Sequence, residues 1–244
     1  MSFLARLLSL FGSVSVLFAV AAPVAAASPV RLVVDEIRMP SHAAAMLAGS
    51  VGISPPPCQD KAFNLIGGKQ ASTYKWSFKA SSTPSGLNKN SVAQKLQKSF
   101  ANITGAHNDC GRADKISATS QYLGTTSSAP NCNSRDGKNV VGFGSLNSGV
   151  LAVTCYWINS GKIIEADMKI TTKETWALSL STCHGDSPML EATITHEAGH
   201  VFGMDHVGET KHGRLTMSPY LDGPCENNEA TLGLGDMLGL ESMY

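Results

Sequence analysis

The chain has 244 residues with 19 basic and 19 acidic side chains, so its formal net charge is zero. This balance gives no reason to expect nucleic acid or an anionic membrane surface as a partner. The length and a hydrophobic fraction of 43% fit one globular domain with a conventional core.

The first 27 residues are typical of a secretory signal peptide. Arg6 supplies the positive charge, residues 7–20 are predominantly apolar, and Ala25-Ala26-Ala27 matches a small-residue cleavage site. An uncleaved membrane anchor is the alternative, and Pro23 argues against it. Elsewhere the sequence has no apolar stretch long enough to span a bilayer. We therefore expect a secreted protein with no stable membrane association after the signal is removed.

Residues 28–57 are rich in alanine and end in Pro55-Pro56-Pro57, which forms a stiff spacer. This segment is predicted to be a short pro-segment, a linker or a poorly ordered N-terminus. The folded domain is then expected to span residues 58–244.

Six cysteines follow the signal peptide, and an even number in an oxidising compartment implies up to three disulfides. Sequence alone leaves many pairings open. Proximity favours Cys183–Cys225, and the pairs Cys58–Cys110 and Cys132–Cys155 would then remain.

The secondary-structure pattern of the domain indicates the α+β class. Strands are predicted at residues 74–79 and 115–123, and an amphipathic helix at residues 90–103. An irregular loop is expected at residues 131–137. Two apolar runs, 150–158 and 162–170, are joined by Asn159-Ser160-Gly161, which is a strong hairpin signal.

Residues 196–206 read His-Glu-Ala-Gly-His-Val-Phe-Gly-Met-Asp-His. On a helix, His196 and His200 lie on one face, and two imidazoles at this spacing suit Zn²⁺. Gly203 can end the helix and turn the chain back, so that His206 becomes a third ligand. The fourth coordination position of the metal then stays open for water. Glu197 projects from the same helix, where it can hold that water. A buried helix with chance histidines is the alternative, and the offsets of Gly203 and His206 argue against it.

The flanking residues support a helix around this motif. Ser187 followed by Pro188 is a plausible N-cap and first helical residue. An apolar stripe lies away from the two histidines and comprises Leu190, Ile194, Ala198, Val201 and Phe202. We expect this stripe to pack into the core and the opposite side of the helix to face a cleft.

The motif resembles the signature of the metzincin clan of zinc endopeptidases. The run Met217-Ser218-Pro219-Tyr220 is similar to the Met-turn of matrixins, and residues 234–244 look like a matrixin C-terminal helix. Val207 departs from the matrixin pattern, which has Ser there, and Gly235-Asp236 replaces a pair of acids. The chain therefore resembles a matrixin-like metzincin outside the well-known vertebrate group, most strongly from about Ile163 onward.

The resemblance implies a zinc protease domain with a mixed twisted sheet, an active-site helix and a small C-terminal part that ends in a helix. One catalytic Zn²⁺ would be held by His196, His200 and His206. It would lower the pKa of a bound water toward about 7 and polarise the scissile carbonyl, with Glu197 as general base. Structural calcium or a second zinc is not expected, because His184-Gly185-Asp186 lacks the loop that would complete such a site. The likeness of these three residues to the start of a structural-zinc loop is then either a coincidence or reflects a helix-capping role for Asp186.

The expected substrate is a protein or peptide that binds extended in a cleft, along an exposed strand at residues 150–156. By resemblance, Met217 would lie beneath the imidazoles, and Pro219 and Tyr220 would form one wall of the pocket. We expect a monomer. Two alternatives stay open: a catalytically silent zinc-binding or adhesion module, which the presence of Glu197 disfavours, and a zinc exopeptidase or amidase for small substrates.

Overall fold

The computed structural model describes residues 29–40 and 54–244, so the predicted signal peptide lies outside the described residues. The strands are β1 (Arg31–Arg38), β2 (Asn64–Leu65), β3 (Lys69–Gln70), β4 (Tyr74–Phe78), β5 (Ser120–Thr125), β6 (Val140–Gly144), β7 (Val150–Asn159), β8 (Lys162–Thr171) and β9 (Met204–Asp205). The helices are α1 (Lys89–Thr104), α2 (Leu190–Val201), α3 (Glu209–His212) and α4 (Leu234–Glu241). Among these residues, no helix is long and apolar enough to cross a membrane.

A mixed sheet of seven strands forms the centre of the fold. Its order is β1-β7-β8-β6-β4-β5, and β3 pairs with β8 beside β6. The predicted hairpin is confirmed: β7 and β8 run antiparallel through a turn in which Ser160 and Gly161 both have positive φ. Strands β4, β5, β6 and β8 pair in parallel. A mixed sheet with few helices agrees with the predicted α+β class.

Helices α1 and α2 pack against each other beside this sheet. The predicted amphipathic helix is confirmed as α1, whose N-terminus is capped by the side chain of Asn88. Its apolar side is fully buried and comprises Val92, Leu96, Phe100 and Ile103. A polar contact also joins the two helices: Asn102 Nδ2 donates a hydrogen bond to Thr195 Oγ1 at 3.1 Å. This packing holds one side of α2 in place.

Helix α2 begins later than predicted. Met189 is its N-cap and makes no side-chain cap hydrogen bond, so the prediction of Ser187 as N-cap is wrong. The preceding residues are held extended, because Ala177 N donates to Pro188 O and Leu190 N donates to Ala177 O, both at 3.0 Å. Asp186 lies before this extended stretch and does not occupy a cap position. Pairing with a distant segment overrides the local helix-start signal.

Strand β5 also differs from its predicted bounds, since residues 115–119 lie outside any strand. The register of the sheet explains this difference. Tyr74, the first residue of β4, pairs with Ser120, so the ladder between the two strands begins at that point.

Part of the segment predicted as a pro-segment or linker is a strand of the main sheet. All of β1 pairs antiparallel with β7, from Arg31 opposite Ile158 to Arg38 opposite Val150. The other edge of β7 pairs with β8. The prediction that residues 150–156 form an exposed strand is therefore wrong, because β1 covers the edge that was expected to be free.

Three disulfides join the pairs predicted from the sequence: Cys58–Cys110, Cys132–Cys155 and Cys183–Cys225. Three disulfides fit a protein of an oxidising, extracellular compartment. The bond between Cys183 and Cys225 joins the chain before α2 to the segment after Met217, and Cys225 N also donates to Ser187 O at 3.0 Å. It closes a loop with a sequence separation of 42 residues.

Replacing both Cys183 and Cys225 by Ser should lower the free energy of unfolding by about 3–4 kcal/mol, because the unfolded chain regains the entropy that the loop had removed. It should also weaken metal retention, since the loop contains all three histidines of the motif. Denaturant unfolding and metal titration of wild-type and double-variant protein check both effects. An unchanged unfolding midpoint would contradict this expectation.

Candidate metal centre and groove

Helix α2 and the turn that follows it bring three imidazoles together. His196 and His200 are one helical turn apart on α2, and both are completely buried. The helix ends at Gly203, which has a φ of 100°. A Cβ at this position would also overlap the carbonyl oxygen of Gly68. Glycine is therefore required for both conformation and space where the chain turns back toward His206.

The Nε2 atoms of the three histidines lie 3.0–3.1 Å from one another. His196 Nδ1 lies 2.7 Å from Thr216 O, and His200 Nδ1 lies 3.0 Å from Met204 O. Since a carbonyl only accepts, both Nδ1 atoms carry the proton, and both Nε2 atoms present lone pairs. Such close lone pairs repel unless a cation lies between them. His196, His200 and His206 could thus hold one metal ion.

Burial favours the neutral form that a metal ligand requires. Desolvation lowers the pKa of His196 well below its ordinary value, and the neighbouring His200 and His206 lower it further. Burial also lowers the pKa of His200. For His206, burial and then the proximity of His200 lower the pKa to about 4. All three imidazoles are therefore unprotonated near neutral pH, which is the state that binds a metal.

Glu197 is completely buried beside these imidazoles. Its Oε2 accepts a hydrogen bond from the hydroxyl of Thr154 on β7, and its Oε1 accepts one from the backbone N–H of Ile37 at 3.2 Å. Burial raises the pKa of Glu197 to about 8, while the bonds from Thr154 and Ile37 oppose that rise. When ionised, a carboxylate held in this way can accept a proton and later return it.

The Met217 turn lies directly beneath α2. A Cβ at Gly199 would overlap the sulfur of Met217, so the absence of a side chain at Gly199 permits this approach. Val207 N donates to Met217 O at 3.0 Å, which ties the residue after His206 to the same turn. The turn and the helix therefore hold the chain on both sides of the three histidines, and Met217 packs against α2 at Gly199.

Helix α4 supports this turn through Asp236. Its carboxylate accepts hydrogen bonds from the backbone N–H groups of Thr216, Met217 and Gly233 at 2.9–3.2 Å. Burial raises the pKa of Asp236 to about 6, against the effect of these bonds. Gly235 precedes Asp236 on this helix, and a Cβ there would overlap the carbonyl oxygen of Ala62. One acid supports the turn, and the neighbouring glycine makes room for the chain that crosses α4.

Strand β1 occupies the groove above the three imidazoles. It passes between β7 and the segment after Met217, where Arg38 N donates to Pro219 O and Leu221 N donates to Arg38 O, both at 3.0 Å. The side chain of Ile37 is completely buried. The side of α2 that was expected to face an open cleft is therefore covered by the N-terminal segment of the chain itself.

Sequence reasoning missed three residues of this site: Thr154, Asp35 and Ile37. Asp35 Oδ2 accepts a hydrogen bond from the hydroxyl of Tyr156 and lies 3.8 Å from His200 Nδ1. The β-branched residues Val33, Val34 and Ile37 are a strand signal that could have located β1. Thr154 carries no such signal, because only the packing of β7 on α2 brings it to Glu197.

A second group of acids lies away from the histidines, at Asp136, Glu165 and Asp167, and could also hold a cation. Its carboxylates already accept backbone N–H groups of the neighbouring loop, such as Asn131 N on Asp167 and Gly137 N on Glu165. The group thus anchors the predicted irregular loop at residues 131–137. His184 and Asp186 are exposed.

Comparison with known proteins adds no relative. No family model matches this chain. A search of curated proteins finds no significant match either. The function therefore has to be argued from the geometry of the site and from the motif that builds it.

Replacing Gly199 by Ala should destabilise the fold by about 1–3 kcal/mol, because the added methyl group overlaps Met217 in a packed interior. The matched control is Gly208→Ala, since a Cβ at Gly208 meets no atom within 4 Å. Adding Met217→Ala to Gly199→Ala should recover part of the loss, because the two positions are in contact. Thermal unfolding of wild-type protein, the two single variants Gly199→Ala and Met217→Ala and the double variant measures the coupling, and strict additivity would contradict it.

Replacing Asp236 by Ala should cost about 2–3 kcal/mol of stability and loosen the Met217 turn, because buried backbone N–H groups lose their acceptor. Asp236→Asn, which keeps one acceptor oxygen, should be affected less. Denaturant unfolding together with metal affinity measures both consequences. Equal stability of the Ala and Asn variants would show that the N–H bonds are unimportant.

Proposed function

We propose that this protein is a secreted, zinc-dependent endopeptidase of the matrixin-like metzincin type, which hydrolyses internal peptide bonds of extended substrates. One observation carries the proposal. His196, His200 and His206 converge to within 3.0–3.1 Å at Nε2, and the adjoining Glu197 reaches the backbone of a chain segment that lies extended in the groove.

The donor set fits zinc better than the common alternatives. Three neutral imidazole nitrogens suit Zn²⁺, whereas Ca²⁺ and Mg²⁺ prefer oxygen ligands. Zinc bonded to each nitrogen at about 2.0–2.1 Å would hold them about 3.3 Å apart, which is close to the separations observed here. The backbone acceptors for His196 and His200 orient these ligands. When bound, the ion would lower the pKa of a water toward about 7 and polarise the substrate carbonyl.

Glu197 would act first as general base and then as general acid. It would accept a proton from the attacking water and return it to the nitrogen of the leaving amine. The hydroxyl of Thr154 fixes one carboxylate oxygen, so the other is directed toward the backbone in the groove. Full burial strengthens these interactions, because little water competes with them.

The groove favours an internal cut over removal of a terminal residue. Strand β1 passes through the site with chain on both sides of Ile37: residues 31–36 pair along β7, and Arg38 pairs with the segment at residues 219–221. A site that accommodates backbone on both sides of Glu197 suits an endopeptidase, whereas an exopeptidase would have to stop the chain at one side. The predicted signal peptide and the three disulfides support secretion.

Replacing Glu197 by Gln should leave zinc binding nearly unchanged and lower kcat/KM by about 10²–10⁴-fold, because the variant keeps the ligands but loses the base. His206→Ala is the contrasting variant and should lose both zinc and turnover. Metal analysis and cleavage of an unbiased peptide library on the same preparations test both.

Other outcomes would select among the alternatives. Wild-type protein that binds zinc tightly but cuts no peptide would support a silent binding or adhesion module. Products shortened only at their ends would indicate an exopeptidase. Full activity of the Glu197 variant would sink the proposed mechanism.

A further inference from the structure

A cavity of about 370 Å³ lies beside the chain that carries the third histidine. This volume falls within the range of roughly 300–1,000 Å³ that is usual for ligand sites. The lining residues come from residues 62–64 and from the segment at 207–212. No residue of strand β1 is among them, so the cavity is separate from the groove that β1 occupies.

The cavity adjoins the candidate metal centre through the chain at His206. Val207 lines the cavity and follows His206 directly, and Asn64 Nδ2 donates a hydrogen bond to His206 O at 2.8 Å. Strand β2, which contains Asn64, pairs antiparallel with β9, the strand that ends immediately before His206. A molecule in the cavity therefore lies next to the turn that presents the third histidine.

The cavity carries a positive charge without a counter-ion. Lys211 lines it and forms no salt bridge with any residue that the structure describes. None of the described residues that line the cavity is acidic. The neighbouring Glu209 is bound elsewhere, because its carboxylate accepts a hydrogen bond from the hydroxyl of Ser218. A concave site with one uncompensated cation favours an anionic ligand.

A buried carboxylate orients a second basic side chain of the cavity, His212. Asp60 is 5% exposed, and its Oδ2 lies 2.8 Å from His212 Nδ1. Asp60 Oδ1 also accepts a hydrogen bond from the backbone N–H of Ala62 at 3.0 Å. Because a carboxylate only accepts, Nδ1 carries a proton, and Nε2 is the ring nitrogen left for a ligand. The imidazole is thus held in position before a ligand binds.

The remaining lining suits the rest of an acidic side chain and its neighbour. Phe63 and Val207 supply apolar surface, against which methylene groups or an adjacent apolar side chain can pack. Asn64 and Thr210 supply further hydrogen-bond donors near Lys211. A carboxylate that accepts bonds from an ammonium group and from neutral donors is held more strongly than an uncharged amide would be.

We propose that this cavity binds a Glu or Asp side chain of a peptide, and that it thereby selects substrates with an acidic residue upstream of the cleaved bond. Binding to the cavity stands apart from the proposed endopeptidase function, whereas substrate selection rests on that function. The site and the groove would then act together on one extended chain.

The upstream placement follows from the direction of the strand in the groove. Near the N-terminal end of β1, Arg31 Nη2 donates a hydrogen bond to Ile66 O at 2.8 Å, two residues beyond Asn64. At the other end of β1, Ile37 N reaches Glu197. A substrate that runs along β7 in the same direction would therefore bring its residues upstream of Glu197 toward the segment that lines the cavity.

The binding test uses the full chain with Zn²⁺ and the Glu197→Gln change, so that no peptide is cut. The probe is the blocked tetrapeptide acetyl-Ala-Phe-Glu-Ala-amide, compared with the same peptide containing Gln in place of Glu. Titration followed by amide chemical shifts should place the bound peptide at residues 62–64 and 207–212. The Glu peptide should bind about 10-fold more tightly, which corresponds to about one charge-assisted hydrogen bond.

Two matched charge reversals locate the effect. Lys211 is exposed, so Lys211→Glu should fold normally, and it should abolish the preference for the Glu peptide. Lys115→Glu makes the same change at an exposed position outside the cavity and should keep the preference. With Glu197 intact, kcat/KM should be about 10-fold higher for substrates with Glu than with Gln upstream of the cut, and Lys211→Glu should remove that ratio.

The outcomes separate this inference from the proposed function. Equal affinity for the two peptides, or a preference that survives Lys211→Glu, would overturn the binding site. Peptide cleavage with no acidic preference, or with one only downstream of the cut, would overturn substrate selection and leave the endopeptidase standing. Tight binding of the Glu peptide by zinc-loaded wild-type protein that cuts no peptide would remove the endopeptidase and leave the binding site standing.

Discussion

The close approach of α2 to the Met217 turn is the constraint on which the rest of the site depends. Gly199 allows it, because any side chain there would overlap the sulfur of Met217. The same approach brings Thr216 O to His196 Nδ1, which orients the imidazole and fixes its tautomer. Asp236 holds the turn from below through backbone N–H groups. The metal ligands are thus positioned by a small residue, a backbone carbonyl and a buried carboxylate that do not contact the ion.

Strand β7 connects this centre to the sheet. Its Thr154 binds the carboxylate of Glu197 from one side, and its outer edge pairs with β1. The strand therefore sets both the orientation of the proposed base and the path of whatever lies in the groove. Burial raises the pKa of Glu197, and the hydrogen bonds from Thr154 on β7 and Ile37 on β1 oppose that rise. Both strands therefore contact the carboxylate directly.

Much of the site could be predicted from local spacing. The offsets among His196, His200 and His206 correspond to one helical turn followed by a return at Gly203, so the ligand set follows from helix geometry. The β7–β8 hairpin and α1 were predictable for the same reason, since a turn signal and an apolar period are local properties. The pairing of Cys183 with Cys225 could be expected because these residues lie before the helix and after the Met217 turn, two segments that surround the same three histidines.

The sequence by itself therefore determined the chemistry of the ligands. It also determined the helices and strands whose apolar residues recur at a regular spacing. Tertiary structure alone decided where β1 lies, where α2 begins and which residues contact Glu197. The β-branched residues Val33, Val34 and Ile37 indicate a strand. The backbone groups of this strand are the same as those of any other strand, so they do not specify a partner. The start of α2 was set by pairing with Ala177, and the contact of Thr154 with Glu197 by the packing of β7 on α2. Such long-range pairings depend on how the whole chain is arranged, which no local pattern encodes.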